Sequence, residues 1–140
     1  MILYLDTSSL VKLYLDEQHS PLVHEGVADA ELVATCRIAY PEALSAFTRS
    51  RNAGELTGRQ YETLINRFTA DWPAFVSLDF DELEAGRLVR QHGMGGFDAV
   101  HLAAALLLRQ TDQALEIAFS SFDDRQCAAA QAEGLAVLTG

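Results

Sequence analysis

Basic residues are scarce in this chain. Lys and Arg number 10 against 20 Asp and Glu, so the formal charge is −10. Taken whole, that argues against a protein that binds nucleic acid nonspecifically through a basic face. Cysteine is scarcer still. Cys36 and Cys127 stand far apart with no C-x-x-C, the pattern of two reduced thiols rather than a disulfide framework. No apolar run approaches the roughly 20 residues that span a bilayer. The start of the chain has no basic stretch leading into an apolar one, so no secretory signal is expected and a cytoplasmic location is. Gly93, Gly95 and Gly96 do not form G-x-G-x-x-G and follow no strand, so they read as a turn. Ser8 and Ser9 lie in no G-x-S-x-G elbow. His19, His24 and His92 have no metal-ligand spacing. Internal repeats, linkers and low-complexity segments are missing too.

What is present suits one compact domain over residues 1–140, with 49% hydrophobic residues to build a core. Short apolar runs at 2–5, 32–34, 75–78, 115–120 and 135–138 read as strands. Helical spacing lies between them. A helix is expected over 7–15 with Thr7 or Ser8 as its cap, and another can start at Pro21. Further helices are expected over 38–53, from a Thr57 cap onward, after residues 79–82, over 97–109 and over 123–133. The 97–109 segment is apolar nearly throughout and should be buried. This alternation predicts an α/β fold, a mainly parallel central sheet between helical layers. In such sheets, sites form beyond the carboxyl ends of the strands.

Four acids have unusual settings. Asp6 ends the first apolar strand, and Asp123 follows a later one. Asp98 opens the most apolar helix, and Glu42 lies among apolar neighbours at the front of a long one. Each can be a helix cap or a first-turn acid. If they converge without basic partners, they repel one another and their pKa values rise unless a cation intervenes. Hard divalent ions such as Mg²⁺ suit oxygen donors of this kind. Paired ions can activate water and stabilise a leaving oxygen, which points to phosphodiester hydrolysis.

The pieces YLDTSSLVKLYLDE, PEALSAFTR, GGFDAVHLAAAL and FSSFDDR occur in that order along nearly the whole chain. Together they resemble the PIN-domain family, and especially the VapC-type toxin ribonucleases of bacterial toxin–antitoxin systems. The resemblance implies a PIN-like three-layer sandwich with about five strands ordered 3-2-1-4-5. It implies Mg²⁺- or Mn²⁺-dependent cleavage of RNA, a homodimer, and a small antitoxin that blocks the acidic groove. Position by position, the acidic site becomes Asp6, Glu42, Asp98 and Asp123, with Asp6, Asp98 and Asp123 as metal ligands. Asp124 can exchange roles with Asp123. Thr7 would orient Asp6 or a metal-bound water, and Ser121 would bond the Asp123 carboxylate. Gln126 stands where the family often has Leu.

Two rival readings remain beside the toxin: a PIN-like nuclease of RNA processing, and an inactive PIN-like binding module. A phosphotransferase of the haloacid-dehalogenase kind wants a second acid two residues after Asp6, but Ser8 stands there. His101 follows Asp98 by three residues, where a general base and a packing histidine are both conceivable. The segment from Arg37 to Arg67 carries five arginines against three glutamates, Glu42, Glu55 and Glu62. Within it, Arg49 and Arg51 are candidate RNA contacts. The aromatics Tyr14, Phe47, Tyr61, Phe68 and Trp72 read as core or dimer-contact residues.

Overall fold

The structure is a computed structural model and describes residues 1–138. The described residues form five strands: β1 (Ile2–Leu5), β2 (Leu32–Cys36), β3 (Val76–Leu78), β4 (Ile117–Ser120) and β5 (Ala136–Val137). They also form seven α-helices: α1 (Thr7–Leu10), α2 (Ser20–Asp29), α3 (Ala39–Asn52), α4 (Gly58–Asp71), α5 (Glu82–His92), α6 (Gly96–Thr111) and α7 (Asp124–Ala132). All strand pairs are parallel, in the order β3-β2-β1-β4-β5. The expected α/β sandwich and strand order are therefore both present.

The period-2 geometry of β1 divides the core between the two faces of the sheet. Ile2 and Tyr4 face a cluster fed by α5, α6 and α7. Leu3 and Leu5 face a second cluster built with α1, α3 and α4. Phe47 and Phe68 are wholly buried in that second cluster, with Tyr14 and Trp72 edge-on to Phe68. Of the aromatics expected in the core or at a dimer contact, Phe47 and Phe68 fill the core, and Tyr14 and Trp72 pack against it half-buried.

Local chemistry sets the element ends. Thr57 caps α4 in a capping box with Gln60. Asp81 caps α5, which ends at Gly93 in the left-handed region at φ 67°. Pro41 lies in the first turn of α3, where its missing N–H has no helical carbonyl to lose, so it marks a helix start rather than a kink.

Two expectations need correction. The first helix is capped by Asp6, not by Thr7 or Ser8, and it is short. It passes into a 3₁₀ turn at Val11–Leu13, so the apolar spacing over 7–15 is not one regular helix. The α6 helix is buried over most of its length, but Phe97 is 68% exposed.

Glu133 ties the end of α7 to α5. Its Oε1 accepts from Arg87 Nη2 at 2.7 Å, and its Oε2 meets His92 Nε2 at 2.8 Å. The Arg87 hydrogen bond, with help from His92 and against burial, holds the Glu133 carboxyl below its ordinary range. A carboxylate lowered on folding contributes stability above its unfolded pKa and loses it as pH falls through the folded one. Glu133→Gln is expected to cost about 1 kcal/mol at neutral pH. In urea unfolding at stepped pH, the gap between variant and wild type should close on acidification through the carboxylate range.

Candidate active site

The carboxyl ends of β1, β2 and β4 lie side by side. Leu5 pairs with Ser120, and the Asp6 N–H continues that ladder to the Ser120 carbonyl at 3.1 Å. Asp6 and Asp123 follow β1 and β4 as helix N-caps, and Glu42 stands in the first turn of α3, the helix after β2. Asp98 stands in the first turn of α6.

Asp6 is 4% exposed. Its Oδ1 accepts from the Ser9 N–H at 2.9 Å and from the Ser8 hydroxyl at 2.7 Å. Asp123 uses Oδ1 in the same way, accepting from the Gln126 N–H at 2.9 Å to cap α7. Capping and a role at a site therefore do not compete. Each cap engages one oxygen and fixes the carboxylate's orientation, and the second oxygen accepts no hydrogen bond among the described residues.

Glu42 is held differently. Its Oε1 accepts from the Thr7 hydroxyl at 2.6 Å and meets His101 Nε2 at 3.0 Å. Thr7, expected to orient Asp6 or a metal-bound water, bonds Glu42 and not Asp6; the hydroxyl that bonds Asp6 is that of Ser8. His101 Nε2 also lies 3.0 Å from Thr7 Oγ1. On the other side of the ring, Nδ1 meets the Tyr4 hydroxyl at 2.8 Å. Tyr4 and His101 are 0% and 2% exposed. The buried Tyr4 hydroxyl needs an acceptor, and Nδ1 is the one it meets. That leaves Nε2 as the ring nitrogen facing Thr7 and Glu42. Burial raises the Glu42 carboxyl, but the His101 and Thr7 hydrogen bonds outweigh it and hold the group below its ordinary value.

Gln126 is 1% exposed and joins the remaining parts. Its Oε1 accepts from the Ser121 hydroxyl at 3.0 Å, and its Nε2 donates to the Asp98 carbonyl at 3.0 Å. Ser121 in turn accepts from the Asp123 backbone N–H at 3.1 Å. Ser121 therefore positions the Asp123 main chain, not its carboxylate as expected. Gln126, read in the sequence only as a departure, links both acidic segments.

Electrostatics connect the four acids. Burial pushes the Asp98 carboxyl up, and the charges of Asp123, Asp6 and Glu42 push it further. His101 opposes only in part. Asp124 opens α7 and lines a neighbouring cleft with Cys127 and Phe122. Among the described residues, no Lys or Arg forms an ion pair with Asp6, Asp98 or Asp123. The donors are hard oxygens in uncompensated negative surroundings, and that chemistry fits Mg²⁺ or Mn²⁺. Among the described residues, no three His, Cys, Asp or Glu side chains are already gathered to hold one ion. Asp98 is half-buried and Asp123 exposed, so both carboxylates are open to an ion from solvent.

A cleft of about 440 Å³ opens beside these groups, lined by Thr7, Ser8, Glu42, Ser45, Arg49 and Phe97 among others. Arg49 belongs to this cleft. Arg51 does not line it; its guanidinium lies 4.3 Å from the Tyr61 ring centre.

The PIN domain family model matches residues 3–132. The chain belongs to the PIN-domain family. It is 32% identical over 108 residues to ribonuclease VapC45 of Mycobacterium tuberculosis strain CDC 1551 / Oshkosh, covering 75% of each chain. The same identity and coverage hold for ribonuclease VapC49 of strain ATCC 25618 / H37Rv. Among solved structures, FitAcB from Neisseria gonorrhoeae superposes with a TM-score of 0.67 at 18% identity, covering 99% of this chain and 97% of that one. VapBC-1 from nontypeable Haemophilus influenzae gives 0.61 at 17% identity, covering 98% and 96%. At these identities the structural likeness speaks to the fold of this PIN domain.

Sequence reasoning left Tyr4 and Phe97 out of the site. Tyr4 had a signal: it is the one side chain with a polar tip in an otherwise apolar strand. Phe97 had one as well, an aromatic placed between glycine and an acid.

Proposed function

We propose that this PIN domain is a metal-dependent endoribonuclease, the toxin of a type II toxin–antitoxin pair. The observation that carries the reading is the placing of Asp6, Asp98 and Asp123 at the carboxyl edge of the sheet, none of them in an ion pair with Lys or Arg among the described residues; burial first, and then the charges of the other acids, raise the Asp98 carboxyl. The VapC ribonucleases among its relatives supply the substrate class.

Asp6, Asp98 and Asp123 would hold Mg²⁺, or Mn²⁺ in its place, and Glu42 would join them directly or through water. Such an ion neutralises charge on the scissile phosphate and lowers the pKa of nearby water. The protein contributes orientation. Ser9 and Ser8 fix Asp6, Gln126 fixes Asp123, and Thr7 with His101 fixes one oxygen of Glu42. Arg49 offers a guanidinium to an RNA phosphate. The working form would be a cytoplasmic homodimer, inhibited by a cognate antitoxin over the acidic cleft. No described helix is long and apolar enough to cross a membrane.

The test is cleavage of a single-stranded RNA by purified protein freed of antitoxin. EDTA should stop it, and added Mg²⁺ or Mn²⁺ should restore it. The products should carry 5′-phosphate and 3′-hydroxyl ends. Cleavage that continues in EDTA would overturn the metal-dependent reading. Metal binding without turnover would point instead to an inactive binding module.

A further inference from the structure

The side chain that the mechanism above leaves unused is Phe97. It is 68% exposed, although it begins a helix whose following turns are buried. The neighbouring glycines give it no cover: a Cβ on Gly96 would meet nothing within 4 Å. Leaving an aromatic ring in water forgoes the burial energy that its neighbours on α6 gain. The ring is not on a broad apolar surface either. It lines the cleft together with the apolar Val11 and Ala46 and the polar Thr7, Ser8, Glu42 and Arg49.

A flat ring in a mixed cleft, with hydroxyls, a carboxylate and a guanidinium beside it, suits a ligand that has a flat face and a hydrogen-bonding edge. An unpaired nucleobase is such a ligand, and stacking on aromatic side chains is how single strands are commonly held. A base brings a phosphate with it. The exposed Arg49 is available for that phosphate: its Nη1 rests on Ser45 Oγ at 2.9 Å, one helical turn back, and it forms no ion pair among the described residues. Phe97 also immediately precedes Asp98, so a base on this ring would lie beside the acidic cluster.

We propose that Phe97 is a stacking platform for an unpaired base next to the scissile phosphate, with Arg49 holding the adjoining phosphate. The proposal rests on the ribonuclease reading and gives that site a nucleotide subsite. Because every base has a π-face, the platform selects single-stranded over paired RNA rather than one base over another.

The probe is a short fluorescent 2′-O-methyl single strand, which cannot be cleaved, read by anisotropy in Mg²⁺. Phe97→Ala should weaken binding roughly tenfold, and Phe97→Tyr should bind within about twofold of wild type. Scanning an abasic position along the strand should find one that weakens wild type and leaves Phe97→Ala unaffected. With the cleavable RNA, Phe97→Ala should raise KM far more than it lowers kcat. Equal affinity of Phe97→Ala and wild type overturns the platform. So does light scattering in which Phe97→Ala turns a dimer into a monomer, because the ring would then be a contact between copies. Failure of the two ideas is separable. Wild type that binds the probe through Phe97 but never cuts the ribo-strand defeats the nuclease reading. Cleavage indifferent to Phe97 defeats the platform alone.

Discussion

Replacing Asp6 and Asp98 together by asparagine is expected to abolish Mg²⁺-dependent RNA cleavage, a loss on the order of 10³-fold or more, without unfolding the protein. Asparagine keeps an oxygen where Asp6 Oδ1 accepts from Ser9 N–H, so the α1 cap survives. Both changes keep the side-chain size and remove two charges from the cluster. The Asp98 change should also stabilise. Its carboxyl is raised on folding by burial and then by Asp123, Asp6 and Glu42. A carboxyl raised on folding binds its proton more tightly in the folded state. Its contribution is therefore most favourable below the unfolded pKa, and it declines as pH rises through the folded pKa. At neutral pH the full cost is present, and asparagine removes it. Thermal unfolding without added metal should give Asp98→Asn a Tm at or above wild type at pH 7, and the difference should shrink on acidification. A titration should show divalent binding lost in the double variant. Cleavage at the wild-type rate by a folded double variant would sink the assignment.

Most of the fold could be read from periodicity, because parallel strands buried on both faces are short apolar runs separated by helical spacing. Leu3 and Tyr4 illustrate this: adjacent residues, both fully buried, feeding opposite cores. The spacing of Leu10, Val11, Leu13 and Leu15 suits one continuous helix, yet a short helix and a 3₁₀ turn bury the same side chains. In the site, the residue types were legible and their partners were not. Nothing local in the sequence says that Thr7 bonds a residue 35 positions away, or that Tyr4 meets one 97 positions away. Such partners are fixed by strand order and by the docking of α6, which are long-range outcomes. Asp6 and Asp123 do cap helices, and capping leaves room for a second use, since a carboxylate has two oxygens and a cap occupies one.

His101→Ala is expected to be the most damaging single change near the site that removes no carboxylate. The imidazole is 2% exposed and bridges Tyr4, Thr7 and Glu42. Its loss leaves a cavity and strips the Tyr4 hydroxyl of its acceptor inside the core. Together these should cost about 2–4 kcal/mol in urea unfolding. Glu42 loses its strongest source of anion stabilisation, so its carboxyl should move up. Its orientation would then rest on Thr7 alone. Cleavage should fall chiefly through kcat, because a residue that acts through Glu42 touches no substrate. Tyr4→Phe separates the parts. It keeps the ring stacked on Phe119, with centroids 5.3 Å apart, and removes only the hydroxyl. It should cost about 1 kcal/mol. In the double variant the two losses should fall short of their sum, because both single changes break the same hydrogen bond. Additive losses would mean that the Tyr4–His101 bond contributes nothing. A His101→Ala protein within about 0.5 kcal/mol of wild type would show that the network does not hold Glu42 in place.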